Sequence, residues 1–166
     1  MTLDATRCIE MLGLQPHPEG GFYREIHRSS QRVKAGTRDR AAGTSIYFLL
    51  PEGAFSAWHV VESDEQWHHY AGAPLELHLL DDCGHQTITL GGRIFEGQYA
   101  QAVVPAGVIQ AARPLGGAVL VGCTVSPGFD FADFALLGAS QLIRDFPAHR
   151  EIIDLYLPSP PPSSRT

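Results

Sequence analysis

The chain has 166 residues, with 12 Lys and Arg against 18 Asp and Glu, a formal charge of −6. That length holds a single domain, and an acidic balance without a basic stripe excludes a surface that tracks a nucleic-acid backbone, which requires clustered Lys and Arg. Seventeen Gly and twelve Pro imply many tight turns and therefore many short elements.

Leu3, Ile9, Leu12 and Leu14 recur at helical spacing with Gly13 as a stop, which predicts a short amphipathic helix over residues 3–14. The turn cluster Pro16-His17-Pro18-Glu19-Gly20-Gly21 follows, and then a predicted strand over Phe22 to Arg28. Residues 29–43 are charged and carry Val33 as their one large apolar side chain, the composition of a long exposed loop. From Thr44 onward the pattern is β: Thr44 to Leu50, Phe55 to Val61, Gln66 to Tyr70, Leu75 to Leu80, Gln86 to Leu90, Gln101 to Val104, Ile109 to Ala112 and Ala118 to Val125. Short strands 8 to 12 residues apart, divided by turn residues, predict an all-β sandwich or barrel. Helical spacing returns at Leu136 to Phe146 and His149 to Tyr156, split at Pro147. A single domain over residues 1–157 is expected, followed by a disordered Pro-rich tail over residues 158–166.

Cys8, Cys83 and Cys123 lie far apart, so neither a thiolate zinc site nor a disulfide framework is indicated. The N-terminal residues lack a signal peptide and no apolar run has membrane-spanning length, so a soluble cytoplasmic protein is expected, with no membrane or nucleic-acid partner.

The chemistry concentrates in a spaced pair of units. Gly53 is followed after five residues by His59, then by Glu65, and Gly72 comes after a further six residues. About 45 residues on, Pro105-Ala106-Gly107-Val108-Ile109-Gln110 forms a second turn-to-strand unit. An imidazole and a carboxylate at the edges of neighbouring strands suit a divalent metal or acid–base work.

These units resemble the two motifs of the cupin superfamily: Gly, five residues, His-x-His, three or four residues, Glu, six residues, Gly; and then Pro-x-Gly-x-x-His. The surroundings, His17-Pro18-Glu19-Gly20-Gly21-Phe22, Thr44-Ser45-Ile46-Tyr47, Ser63-Asp64-Glu65-Gln66-Trp67-His68 and Ser126-Pro127-Gly128-Phe129, are similar to a cupin subfamily classed as a domain of unknown function. The resemblance implies an all-β cupin jelly-roll β-barrel with short N-terminal and C-terminal helices, a pocket at the barrel mouth, and a homodimer. It also implies departures. Val61 stands at the second His position and Gln110 at the third, leaving His59 and Glu65 of four metal ligands. Val cannot ligate and a Gln oxygen is a poor ligand for zinc, copper or iron. No cofactor is therefore expected; any metal would be a weakly held divalent ion on His59, Glu65 and Gln110.

If strand alternation runs unbroken from Glu65, Trp67 and His69 share its face; a one-residue bulge would bring in His68 instead. Phe129, Phe131 and Phe134 either close the pocket as a lid or cap the barrel. Tyr47 and Tyr23 can each supply a phenol, and Arg24 and Arg28 either hold a phosphate or carboxylate or lie on an outer face. His17, His27, His78, His85 and His149 carry no motif and are assigned to surface or structure.

Two functions follow. The first is a binding barrel for a sugar, nucleotide or sugar-phosphate-type ligand, contacted by Trp67, His69, Gln110 and Arg24. The alternative, by analogy with jelly-roll sugar epimerases, is a metal-independent epimerase or isomerase with His59 as base, Glu65 as its partner and Tyr47 as acid. A metal-dependent cupin enzyme ranks below both.

Overall fold

The computed structural model describes residues 2–158, so the tail expected over residues 158–166 lies, apart from Pro158, outside the described residues. Helix α1 (Ala5–Leu12) begins at Asp4, whose side chain accepts from the Arg7 N–H, and ends at Gly13 with φ at 61°. There the Gly13 and Leu14 N–H groups donate back to the Glu10 and Ile9 carbonyls, a left-handed cap that favours Gly.

Thirteen strands are described: β1 (Gln15–Pro16), β2 (Phe22–Arg28), β3 (Arg32–Ala35), β4 (Arg38–Ala41), β5 (Thr44–Leu50), β6 (Ser56–Val61), β7 (Asp64–Gly72), β8 (Leu75–Asp81), β9 (Gly84–Leu90), β10 (Gln101–Val104), β11 (Ile109–Pro114), β12 (Val119–Ser126) and β13 (Phe134–Leu136). They form a six-stranded sheet, ordered β1-β2-β5-β12-β7-β10, a five-stranded sheet, ordered β13-β6-β11-β8-β9, and the β3-β4 hairpin. Between the two larger sheets lies the main core, which includes Phe48, Leu50, Trp67, Leu77, Val119 and Val121. This is a two-sheet jelly-roll architecture, closed by antiparallel pairing of strands distant in sequence.

The outer face of the five-stranded sheet would expose Trp58, Leu80 and Ala111 without a cover. Helices α2 (Ala139–Asp145) and α3 (Arg150–Leu155) supply one through Leu142, Ile153 and the adjoining Tyr156. The Trp58 indole N–H donates to the Ile153 carbonyl at 3.1 Å, tying α3 to β6. No helix among the described residues is long and apolar enough to cross a membrane.

Two expected elements are corrected. Residues 29–43 hold a β-hairpin rather than a loop, turning at Gly36. Its alternation is written in charge instead of apolar residues: Arg32 pairs with Asp39, Arg38 with Glu62, and Arg40 with Asp133. The expected helix from Leu136 begins only at Ala139, because Phe134 to Leu136 pair as an edge strand with Val61 to His59.

Candidate functional site

A cavity of about 430 Å³ opens at one end of the barrel, between β2, β5 and β6 and the segment after β12. Alternation decides which side chains reach it: Tyr23 and Glu25 from β2, Ile46 and Phe48 from β5, His59 and Val61 from β6, and Glu65 from β7. The turn before β2 adds His17 and Glu19, and β12 adds Cys123.

Glu19 reaches the interior because Gly20 and Gly21 hold φ at 112° and 69°. A Cβ on Gly20 would collide with the Phe55 carbonyl oxygen, so only Gly lets this turn press against β6. The contact is fastened by the Ala57 N–H donating to the Glu19 carbonyl at 2.8 Å, while the Ser56 hydroxyl donates to Glu19 Oε1 at 2.8 Å.

The His59 ring is oriented by a carbonyl. Nδ1 lies 2.8 Å from the Ala57 oxygen, which can only accept, so Nδ1 carries the hydrogen and neutral His59 presents a bare Nε2. That Nε2 stands 3.5 Å from Glu19 Oε2. His17 Nδ1 stands 3.4 Å from the same oxygen and accepts the Glu19 backbone N–H at 3.3 Å.

Burial governs the charge of this group. It lowers His17 to about 4, with His59 adding to the effect, and lowers His59 although Glu65 opposes it. It raises the Glu19 carboxyl to about 8 against the pull of Ser56, and Glu65 to about 7 against that of His59. The Cys123 thiol is pushed up by burial and by Glu65 and Glu19, so it is no nucleophile at neutral pH.

The aromatic segment after β12 is a fixed wall of the cavity. The Phe129 N–H donates to Thr44 Oγ1 at 2.9 Å, and Arg28 Nη1 donates to the Phe129 carbonyl at 3.0 Å. Asp133, at the end of the segment, receives Arg40 at 2.7 and 2.8 Å. Phe129, Phe131 and Phe134 all line the cavity, with Phe134 5.5 Å from the His59 ring.

Of the residues expected from sequence, the fold brings His59 and Glu65 to the cavity. Trp67 and Gln110 lie behind Glu65 instead: the Trp67 indole donates to Gln110 Oε1 at 2.9 Å, and Gln110 Nε2 donates to Glu65 Oε2 at 2.6 Å. His69 is placed elsewhere. Alternation holds through it, with Glu65, Trp67 and His69 opposite Val125, Cys123 and Val121, but His69 lies further along β7 from the cavity, just before the bulge between His69 and Ala71. His69 then donates through Nε2 to the Ala73 carbonyl at 3.0 Å, and His68 faces Thr124. Tyr47 and Arg24 occupy outward positions of β5 and β2. Tyr47 packs edge-on to Tyr70, and Arg24 lies beside Gly13. Tyr23 and Arg28 line the cavity, Arg28 arriving through the register shift between Glu25 and His27 and paired there with Glu25. His17, expected at the surface or in a structural role, instead lines the cavity together with Glu19, because a turn has no periodicity to reveal direction; the Gly pair that follows them is the signal of a close approach.

A family model described as Cupin superfamily (DUF985) matches residues 6–137. The chain belongs to the cupin superfamily. A solved hypothetical protein from Leishmania major is 34% identical over 95% of this chain and 100% of its own, with a TM-score of 0.89. A crystal structure of a Shewanella oneidensis protein is 36% identical over 93% of this chain and 98% of its own, with a TM-score of 0.86. A variant of oxalate decarboxylase from Bacillus subtilis is 14% identical, covers 87% of this chain and 37% of its own, and has a TM-score of 0.56, a likeness of fold alone. No curated protein matches the chain.

Two of the four cupin metal-ligand positions of this chain lack a metal donor or have it engaged, while His59 and Glu65 remain at the cavity. Val61 turns methyl groups to the cavity, and both ends of the Gln110 amide are taken by Trp67 and Glu65. Among the described residues no group of three or more His, Cys, Asp or Glu side chains has the arrangement to hold a metal ion. Gln110 acts instead as a strut between the core and Glu65. Gln110→Leu leaves the buried Trp67 N–H unpaired and should cost about 1–3 kcal/mol of stability in urea unfolding; a loss near zero would contradict the strut.

Proposed function

We propose that this cupin binds a small polar ring compound and moves a proton on it by acid–base chemistry, a reaction of the isomerase or epimerase class. The observation that carries the reading is the bare His59 Nε2 set 3.5 Å from the Glu19 carboxyl at the inner end of an aromatic-walled cavity. Near neutral pH burial favours neutral His59, able to accept a proton, and the Glu19 carboxylic acid, able to give one. The proton on a carbon next to a carbonyl passes to Nε2, the electron pair moves onto the carbonyl oxygen, and Glu19 protonates that oxygen. A positioned acid or base contributes roughly 10²- to 10⁴-fold to such a step. Glu65, braced by Gln110, lies beside this pair, and Tyr23 is the phenol within the cavity.

Binding without turnover is the second reading, favoured by the aromatic wall, which suits stacking, and by the weakened basicity of His59. A thermal-shift screen of sugars, nucleosides and ring amines tests the pocket, since a compound at 100 times its Kd adds about 2.7 kcal/mol of stability. For each hit, NMR in D₂O separates the readings: deuterium enters the bound compound with the native protein and not with His59→Gln if a proton is moved. No deuterium in any hit leaves the binding reading, and no hit overturns both.

The same reading includes a homodimer, supported by the apolar and aromatic side chains Tyr47, Tyr70 and Val103 on the outer face of the six-stranded sheet.

A further inference from the structure

We infer that the compound this pocket takes is an organic cation bearing N–H donors, a primary ammonium on a cyclic or aromatic frame, rather than a phosphate or carboxylate. The inference rests on the binding reading of the pocket, with Glu19 ionised against the bound cation and not acting as an acid, and adds the charge class of what enters it.

The first ground is the charge on the walls. Four carboxyl side chains line the cavity, Glu19, Glu25, Glu65 and Asp130, against one guanidinium, Arg28. Arg28 is spent: Nε and Nη2 donate to Glu25 at 3.0 and 2.6 Å, and Nη1 donates to the Phe129 carbonyl. Arg38 and Arg40 are held by Glu62 and Asp133, and Arg24 projects from the other face of β2. Among the described residues, an anion entering the cavity would meet no free cation and would face carboxyl groups in a poorly solvated space, where charges act strongly.

The second ground is the hydrogen-bonding sense of the inner end. Glu19 Oε2, His17 Nδ1 and His59 Nε2 converge, with the oxygen 3.4 and 3.5 Å from the two nitrogens. His17 Nδ1 already accepts a backbone N–H, and His59 keeps its hydrogen on Nδ1 for the Ala57 carbonyl. With both rings neutral and Glu19 ionised, all three atoms are acceptors, and buried acceptors facing one another are costly without a donor between them. Without a ligand the group meets that demand by holding a proton, in keeping with the Glu19 carboxyl raised by burial to about 8. A primary ammonium brings three N–H groups and a positive charge to the same point.

The third ground is the aromatic surround. Tyr23 meets the His17 ring edge-on at 4.6 Å, Phe131 stacks on it at 6.1 Å, and Phe134 lies against His59. Aromatic faces attract a cation and accept its hydrocarbon frame, and they offer an anion nothing.

Four probes of one shape test this on the intact protein by isothermal titration at millimolar concentration: benzylamine, benzyl alcohol, benzoate and N,N,N-trimethylbenzylammonium. Benzylamine is expected to bind roughly 10- to 100-fold more tightly than the alcohol, the span of a charge-assisted hydrogen bond, with benzoate weakest. The trimethylated cation, which has no N–H, should fall below benzylamine. In Glu19→Gln, shown folded by circular dichroism, the preference for benzylamine over the alcohol should vanish. Equal or tighter binding of the alcohol or benzoate, lost in His59→Gln, would leave the pocket standing and sink the charge class. Equal binding of the trimethylated cation would refute the three-acceptor argument, and so would tight binding of zinc or manganese chloride that the amine cannot displace. If no member of the series binds, the cation assignment falls, while the wider screen decides the pocket separately.

Discussion

Raising the pH from 6.5 to 9 should lower the stability of the native protein by about 2 kcal/mol, most of it traceable to Glu19. The Glu19 carboxyl rises from an ordinary 4.5 to about 8 in the fold, and Glu65 to about 7, because burial penalises the charged forms. Between the unfolded and folded values the native state holds more protons than the unfolded chain, so stability is full below about 4.5 and is lost as pH climbs through 7 and 8. Each unit of displacement is worth about 1.4 kcal/mol across its range. The buried histidines act in the opposite sense. His17 and His78 are lowered by burial to about 4, so the unfolded chain binds more protons than the fold below 6.5, and their contribution is lost as pH falls toward 4. The two trends balance at about pH 5.5, where stability should peak. Urea unfolding at half-unit pH intervals measures the curve. Glu19→Gln should flatten most of its alkaline limb; a native curve that stays level or rises from 6.5 to 9 would refute the buried, proton-holding state of these carboxyls.

Trp58→Ala should be the costlier change, about 3–5 kcal/mol, the range for emptying a buried large aromatic site. Trp58 is fully buried, packs with Tyr156, and donates to the Ile153 carbonyl. It therefore joins the outer face of the five-stranded sheet to α3. Its loss leaves a cavity, removes one of the two donors to the Ile153 carbonyl, and loosens the cover over Leu80 and Ala111. Trp58→Phe keeps much of the volume but not the N–H and should cost less. Chemical denaturation of the three proteins decides the matter: a Trp58→Ala loss below about 1 kcal/mol would mean that the helices are not held as described. Trp58 alternates with His59 on β6, so any shift of that strand also displaces the His59 side chain.

The cupin assignment was legible in the sequence because it depends on local matters: strand-length runs between turn formers, and two motifs whose Gly residues make the turns. Gly53, Gly72 and Gly107 all adopt positive φ, as their turns require. His59 and Glu65 were legible for the same reason, since motif spacing and strand alternation both point them inward. Alternation rightly put Trp67 and His69 on the Glu65 face of β7, but it does not say how far along the strand the cavity reaches: Trp67 lies behind Glu65, and His69, further on, donates to the Ala73 carbonyl. The residues around Tyr47 do not fix its register by themselves, and pairing with β12 sets Ile46 and Phe48 inward and Tyr47 outward. The rest belonged to the tertiary structure alone. His17 and Glu19 lie some forty residues from His59 and meet it only because a two-glycine turn packs on β6 and the barrel closes around it. The pairing of Arg28 with Glu25, which removes the one guanidinium at the cavity, likewise depends on a shift of register in β2. Sequence thus determined the barrel and half of its inner end, whereas long-range closure decided which charges face one another there, because direction and proximity across strands are properties of register and not of composition.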